Sequence, residues 1–176
     1  PREILSHFGS EMNGVVHSVS QFLSYTVLLE MGIGAVIPAS LYAPLASGDH
    51  LRISAILSSG YKVYRRIGLI CIAYVITLAA LFPTLSGISA ALSLVIVLGI
   101  SRIVSYMVGQ PEQFLVISDQ KGYVIYILAT ASQIVNTIIQ VILIRSGNPL
   151  YVIKLAGTLV GFVQIGLILL YVKRHY

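Results

Sequence analysis

Charge is scarce in this sequence: 10% of its 176 residues are charged and six are acidic, against 57% hydrophobic. A soluble domain of this length can bury a good core, but it needs charged surface to cover that core, and too little is present. The mean hydropathy of +0.91 points the same way, so lipid is expected to replace water around much of the chain. Cysteine is nearly absent too. The single Cys71 sits in an apolar run, which leaves no disulfide partner and no metal-ligand spacing, and it reads as a small packed apolar residue. Also missing are a charged-then-apolar-then-small N-terminal segment, His-Glu-x-x-His, Gly-x-Ser-x-Gly, and paired carboxylates within the apolar runs. No cleavable signal peptide, catalytic residue, metal or cofactor is therefore expected.

What is present is a basic balance, with a net charge of +5. Its Lys and Arg residues stand between apolar runs and not in a solvated patch or motif, so they read as topology signals and no nucleic-acid partner is expected. Further sequence is expected on both sides, because the chain starts at Pro1 and ends just after its last apolar run with Lys173, Arg174, His175 and Tyr176.

A bilayer core of about 30 Å takes about 20 apolar helical residues. Runs at about 67–82, 88–108, 123–144 and 150–172 meet that length and are bounded by charged residues, Gly, Pro or Asn. A first span at about 14–37 is more polar and reads as an interior helix, since it holds His17, Ser18, Ser20, Gln21, Ser24, Thr26 and Glu30. The fold class is thus an all-α integral membrane protein with five crossings. Connections at 38–66, 83–87, 109–122 and 145–149 alternate long and short. Arg52, Lys62, Arg65, Arg66, Lys121, Lys173 and Arg174 fall on one side and Arg2 and Arg145 on the other, which puts the seven-charge side in the cytoplasm. In the first long connection Leu51, Ile53, Ile56, Leu57, Tyr61 and Tyr64 recur at helical spacing. That pattern fits a cytoplasmic amphipathic helix lying at the interface between the first two spans, and equally a helix leading directly into the next span.

Projected at 100° per residue, polar side chains share faces. Gln133, Asn136, Thr137 and Gln140 of the fourth span fall within about 100° of arc. His17, Ser20, Gln21 and Ser24 of the first do likewise, and the fifth aligns Lys154, Gly157, Thr158 and Gly161. Such stripes either bond neighbouring helices or line a shared hydrated path. For His17 alone the interhelical hydrogen bond is the preferred role over proton relay. Charges inside spans are costly and so are functional candidates. Glu30 and Arg102 match in depth and suit an ion pair or a coupling role for Glu30. Arg102 and Lys154 either snorkel to the interface or offer an anionic solute a fixed positive charge in a medium of low dielectric. Gly32, Gly34 and Pro38 close the first span, as a hinge or as an ordinary helix end.

An ordered set of short segments resembles Wzx-type polysaccharide flippases of the multidrug, oligosaccharidyl-lipid and polysaccharide exporter superfamily. It comprises Leu29-Glu30-Met31-Gly32-Ile33-Gly34, Leu41-Tyr42-Ala43-Pro44-Leu45-Ala46 with Asp49, Tyr64-Arg65-Arg66-Ile67, and Asp119-Gln120-Lys121-Gly122-Tyr123. Ala43 stands where a basic residue is usual, and Gly48 where the family is often charged. The resemblance implies that residues 1–176 are a partial N-terminal lobe of six helices, lacking the first helix and the C-terminal lobe of the same chain. It implies a bacterial cytoplasmic (inner) membrane, and a lipid-linked oligosaccharide on an isoprenoid pyrophosphate that is turned from the cytoplasmic to the outer leaflet by alternating access. The substrate-binding candidates are Arg102, Lys154, Gln133, Asn136, Gln140, His17, Gln21 and Ser24, since many weak contacts suit sugar hydroxyls and a cation suits pyrophosphate. Membrane lipids are the other expected partners. Competing readings are a cation-coupled multidrug exporter, which would want acids in its cavity where here only Glu30 qualifies, and a membrane enzyme acting on lipid-linked sugars.

Overall fold

The computed structural model describes residues 2–30, 32–86 and 90–176, with side chains described for 9–30, 32–82 and 91–176. Every element among them is helical. α1 (Arg2–Ser24) runs into a 3-10 segment (Tyr25–Glu30), followed by α2 (Ile33–Ser47) and α3 (His50–Ser86). Then come α4 (Ala90–Val104), a π segment (Ser105–Gly109), α5 (Gln110–Ser118), α6 (Gly122–Arg145) and α7 (Leu150–His175). Four helical units are long and apolar enough to cross a membrane: His50–Phe82, Ala91–Ser118, Gly122–Arg145 and Leu150–His175. A fifth crossing exists if the bent pair Gly9–Glu30 and Ile33–Ser47 counts as one. The chain is a multi-pass membrane protein.

The first span is not the continuous helix over 14–37 that its composition suggests. The chain turns by 48° between Glu30 and Ile33, where Gly32 takes φ 84°, a left-handed value that a side chain would strain. Gly34 then lies in the first turn of α2 and Pro38 within it, as does Pro44. The start of the third span at Ile88 and the end of the short connection at Gly87 lie outside the described residues, as does Met31 of the family-like segment.

A second departure follows Val108, where a connection was expected as far as Gly122 and helix α5 is found instead. Pro111 carries no N–H and would crowd the carbonyl four residues back, at Met107. Opening the ladder into a π turn over Ser105–Gly109 places the irregularity where proline needs it, so the helix continues.

The Leu51–Tyr64 pattern belongs to a helix that runs directly into the next apolar run. This helix, α3, has 37 residues and is about 55 Å long at 1.5 Å per residue, so well beyond a bilayer core of about 30 Å. Its charged residues, Arg52, Lys62, Arg65 and Arg66, all precede Ile67. Residues 50–66 therefore hold all the charge of a helix longer than the apolar layer and remain continuous with its apolar part. Ile53 and Tyr64 of this pattern are buried in the protein core, whereas Leu51 and Tyr61 are exposed. Asp49 caps this helix, its Oδ1 accepting from Arg52 N at 3.0 Å, and Gly48 closes α2 in a left-handed conformation, with Asp49 N bonding to Pro44 O.

α3 packs along α2 and α4, α4 also meets α1 and α7, α6 lies along α7, and α5 touches α2 and α6. One core joins Val19 and Leu23 of α1, Leu41 of α2, Tyr64 and Cys71 of α3 and Leu94 of α4. Cys71 is fully buried there, as a packed apolar residue would be. Side-chain contacts also join neighbouring helices: Tyr74 Oη donates to Phe22 O at 2.8 Å, and the Thr158 hydroxyl, which donates to Lys154 O at 3.1 Å, lies 3.4 Å from Val97 O.

Candidate functional site: an arginine in a serine-lined cleft

The 3-10 segment after α1 brings Thr26 inward, 2% exposed. Its hydroxyl donates to Leu23 O at 2.7 Å, which uses its one proton and leaves its lone pairs to accept. Arg102 Nε of α4 donates to it at 3.2 Å, and the Tyr106 hydroxyl lies 3.3 Å away. The Glu30 carboxyl neighbours the same Tyr106 hydroxyl. Arg102 also stands over the Tyr106 ring, 5.6 Å from its centroid, and Tyr106 stacks on Tyr64 at 6.4 Å.

The ion pair expected between Glu30 and Arg102 is not formed. Among the described residues the one salt bridge is Lys121–Asp119. Thr26 takes Arg102 Nε, while Glu30 faces the Tyr106 hydroxyl, so the two charges share a network without direct contact.

With Nε engaged, the terminal guanidinium nitrogens of Arg102 have no protein partner among the described residues. They belong to a cleft of about 330 Å³ that Arg102 lines together with Ser20 and Ser24 of α1, Ser101 of α4 and Ser105 of the π segment. Ser20 and Ser24 donate back to Val16 O and Gln21 O, so their oxygens remain acceptors toward the cleft. A planar cation flanked by hydroxyls is a donor-and-acceptor set for an anion carrying hydroxyl groups.

Other predicted residues are placed elsewhere. His17 and Gln21 line a separate groove of about 360 Å³ with Ser18, Phe22 and Tyr25, on another face of α1. Gln140 Nε2 donates to Asn136 Oδ1 at 2.7 Å, and this amide pair packs on Gly157 of α7, where a Cβ would come within 2.9 Å of Asn136 Oδ1. Those two amides thus join α6 to α7. Gln133 and Thr137 are exposed, Thr137 donating to Gln133 O. Lys154 is half-buried one turn before Thr158, which lies against Val97, so it stands above Arg102 by roughly nine residues of helical rise, about 13 Å. The three stripes do not meet in one cleft: Ser24 and Arg102 come together, and the rest are distributed over other faces.

Tyr106 and Glu112 were not singled out by the sequence, and Thr26 and Tyr64 were read there only as part of a polar first span and of the helical pattern before Ile67, not as members of a site. Glu112 is 6% exposed and its Oε2 has no partner, as is true of the Tyr64 hydroxyl. An acid directly after Pro111 and three residues past Gly109 gave no sign that it would be inside a helix. Where the 109–122 segment ends, Asp119 Oδ2 accepts from Lys121 Nζ at 2.6 Å and from the Tyr176 hydroxyl, and Lys121 stands 5.1 Å from the centre of the Tyr176 ring. The Lys121 hydrogen bond, then that from Tyr176, holds the Asp119 carboxyl below the ordinary carboxylate range.

These elements define a multi-pass α-helical membrane protein with a charged polar cleft at the junction of two helices. No family model matches the chain, and no curated protein or solved structure matches it.

Proposed function

We propose that this chain forms part of a transporter that turns an isoprenoid-pyrophosphate-linked oligosaccharide from the cytoplasmic to the outer leaflet of a bacterial inner membrane, for surface polysaccharide synthesis. The observation that carries the reading is Arg102, anchored through Nε and lined up with four serines in a cleft between α1 and α4. In that arrangement the guanidinium meets a phosphate oxygen while the serines exchange hydrogen bonds with sugar hydroxyls. The isoprenoid tail stays among acyl chains, so only the head group has to be desolvated. The bend at Gly32 supplies a point about which α1 and α2 change angle as access alternates. The segments resembling Wzx-type flippases support the same reading from the sequence side.

In the full-length protein, Arg102→Gln is expected to abolish surface polysaccharide while lipid-linked precursor accumulates inside, and Arg102→Lys to retain part of the export. Unchanged export in Arg102→Gln would sink the assignment. Precursor that fails to form at all would point to an enzyme acting on lipid-linked sugars. A second reading, a cation-coupled exporter of the same superfamily, is favoured by one observation, the buried and unpartnered carboxylate oxygen of Glu112. Its signature is altered drug resistance with normal polysaccharide in Glu112→Gln.

A further inference from the structure

A second cavity is larger than the Arg102 cleft. It measures about 770 Å³, within the range of small-molecule sites, and lies where the charged half of α3 faces the α2–α3 turn and the end of α7. Its contents follow from helical spacing. Ser54, Ser58, Lys62 and Arg65 recur three or four residues apart and so share one face of α3 over about 16 Å. Lys173 comes to the same cavity from α7, and His50 and His175 stand at its edge.

Ser54, Ser58, Lys62, Arg65 and Lys173 are all exposed, and three features favour anion binding there. Lys62, Arg65 and Lys173 make no ion pair or hydrogen bond with any described residue, so their charge is uncompensated by the protein. The one acid in the lining, Asp119, is paired with Lys121 and accepts a hydrogen bond from the Tyr176 hydroxyl, and its charge therefore repels an incoming anion less. The floor is apolar: Leu45, Ile53, Leu57, Leu115 and Val172 come from α2, α3, α5 and α7. Cations and free serine hydroxyls above a hydrocarbon floor match a molecule with a phosphate head and an apolar portion. The basic residues on this face are also those that the positive-inside pattern puts in the cytoplasm, where phosphate-headed ligands reach a membrane surface.

We propose that this cleft is a binding site for a phosphate- or diphosphate-bearing ligand, with Lys62, Arg65 and Lys173 as its anion contacts and Ser54 and Ser58 as supporting donors. The site is separate from the Arg102 cleft and does not depend on the transport reading, because it lies on the charged half of α3.

The test is calorimetric titration of the full chain in neutral phosphatidylcholine nanodiscs with short-chain phosphatidic acid and, separately, with inorganic pyrophosphate. Saturable binding is expected for at least one probe, weakened about tenfold or more by Lys62→Ala, Arg65→Ala or Lys173→Ala, as loss of a charge-assisted hydrogen bond requires. Lys62→Arg, which keeps the charge, should bind nearly as the parent does, and this separates lost contact from lost fold. Arg66→Gln removes an equal charge from the same helix outside the cleft and should leave binding unchanged. Preference for phosphatidic acid assigns a lipid head group, whereas equal or better binding of pyrophosphate assigns a soluble phosphate compound. No saturable binding of either probe overturns the proposal, as does an Arg66→Gln effect as large as those of the cleft variants.

Discussion

At the scale of single residues, the chain uses side-chain protons sparingly and each assignment has consequences. Thr26 gives its proton to Leu23 and so becomes an acceptor, which is what lets it hold Arg102. No projection of the sequence shows that, because the donor count depends on the local 3-10 geometry of residues 25–30. Asp119 offers a second case, and its sign can be worked out. Its carboxyl is held below the ordinary range, so it contributes stability that is full above the unfolded value near 3.9 and is lost as pH falls through the lower folded value. Lys121, raised by the same hydrogen bond, contributes fully below its unfolded value near 10.4 and ceases to contribute as pH rises through the higher folded one. The Tyr176 ring should therefore remain docked from about pH 4 to about pH 10 and release below that window. Fluorine NMR of a fluorotyrosine at position 176 would follow this, and Asp119→Asn should release the ring already at neutral pH. A docked ring in that variant would remove Asp119 as the anchor.

At the scale of elements, length and apolarity were enough to reveal α6 and α7, whose ends fall within a few residues of the runs that announced them. They were not enough for α5. Gly109 and Pro111 argue for a break, yet the π turn absorbs the proline and the helix persists to Ser118, ending at the Asp119 cap as that residue suggests. Nor could periodicity say which stripe faces which neighbour, since a helix's azimuth relative to its partner is set by packing. Ser24 found Arg102, whereas Asn136 and Gln140 were spent on Gly157. The α3–α4 seam allows a direct check of such packing. A Cβ at Gly99 would sit 2.5 Å from Val75 Cγ1, and both residues are buried. Gly99→Ala is expected to cost about 1–3 kcal/mol through overpacking, read as a lower thermal midpoint in detergent. Adding Val75→Ala should recover part of the loss. A midpoint unmoved by Gly99→Ala would show that the seam yields without strain.

For the whole molecule, the decisive fact is how little of the outer helices the bundle hides: 6% of the most apolar window of α6, and likewise of α7, is buried within the chain. Surface of that extent and character is tolerated by lipid or by another apolar partner, not by water. Which end faces which compartment is testable by cysteine labelling. On a Cys71→Ala background, Ser58→Cys should react with an impermeant maleimide only from the cytoplasmic side, and Ser146→Cys only from the outside. These positions lie at opposite ends of the bundle, Ser58 on the charged half of α3 and Ser146 in the turn before α7. Reversed labelling would invert the topology, and labelling of both from one side would dismiss the five-crossing arrangement.

An unbroken rod has mechanical consequences. α3 extends about 25 Å on one side of Ile67 and nearly 30 Å on the other, so its two arms are close to equal. If it pivots near Ile67, a sideways push of one ångström at His50 returns as a displacement of similar size and opposite direction near Ser86. On that pivot a push on the charged arm of α3 reaches its apolar end, since the helix has no break between them.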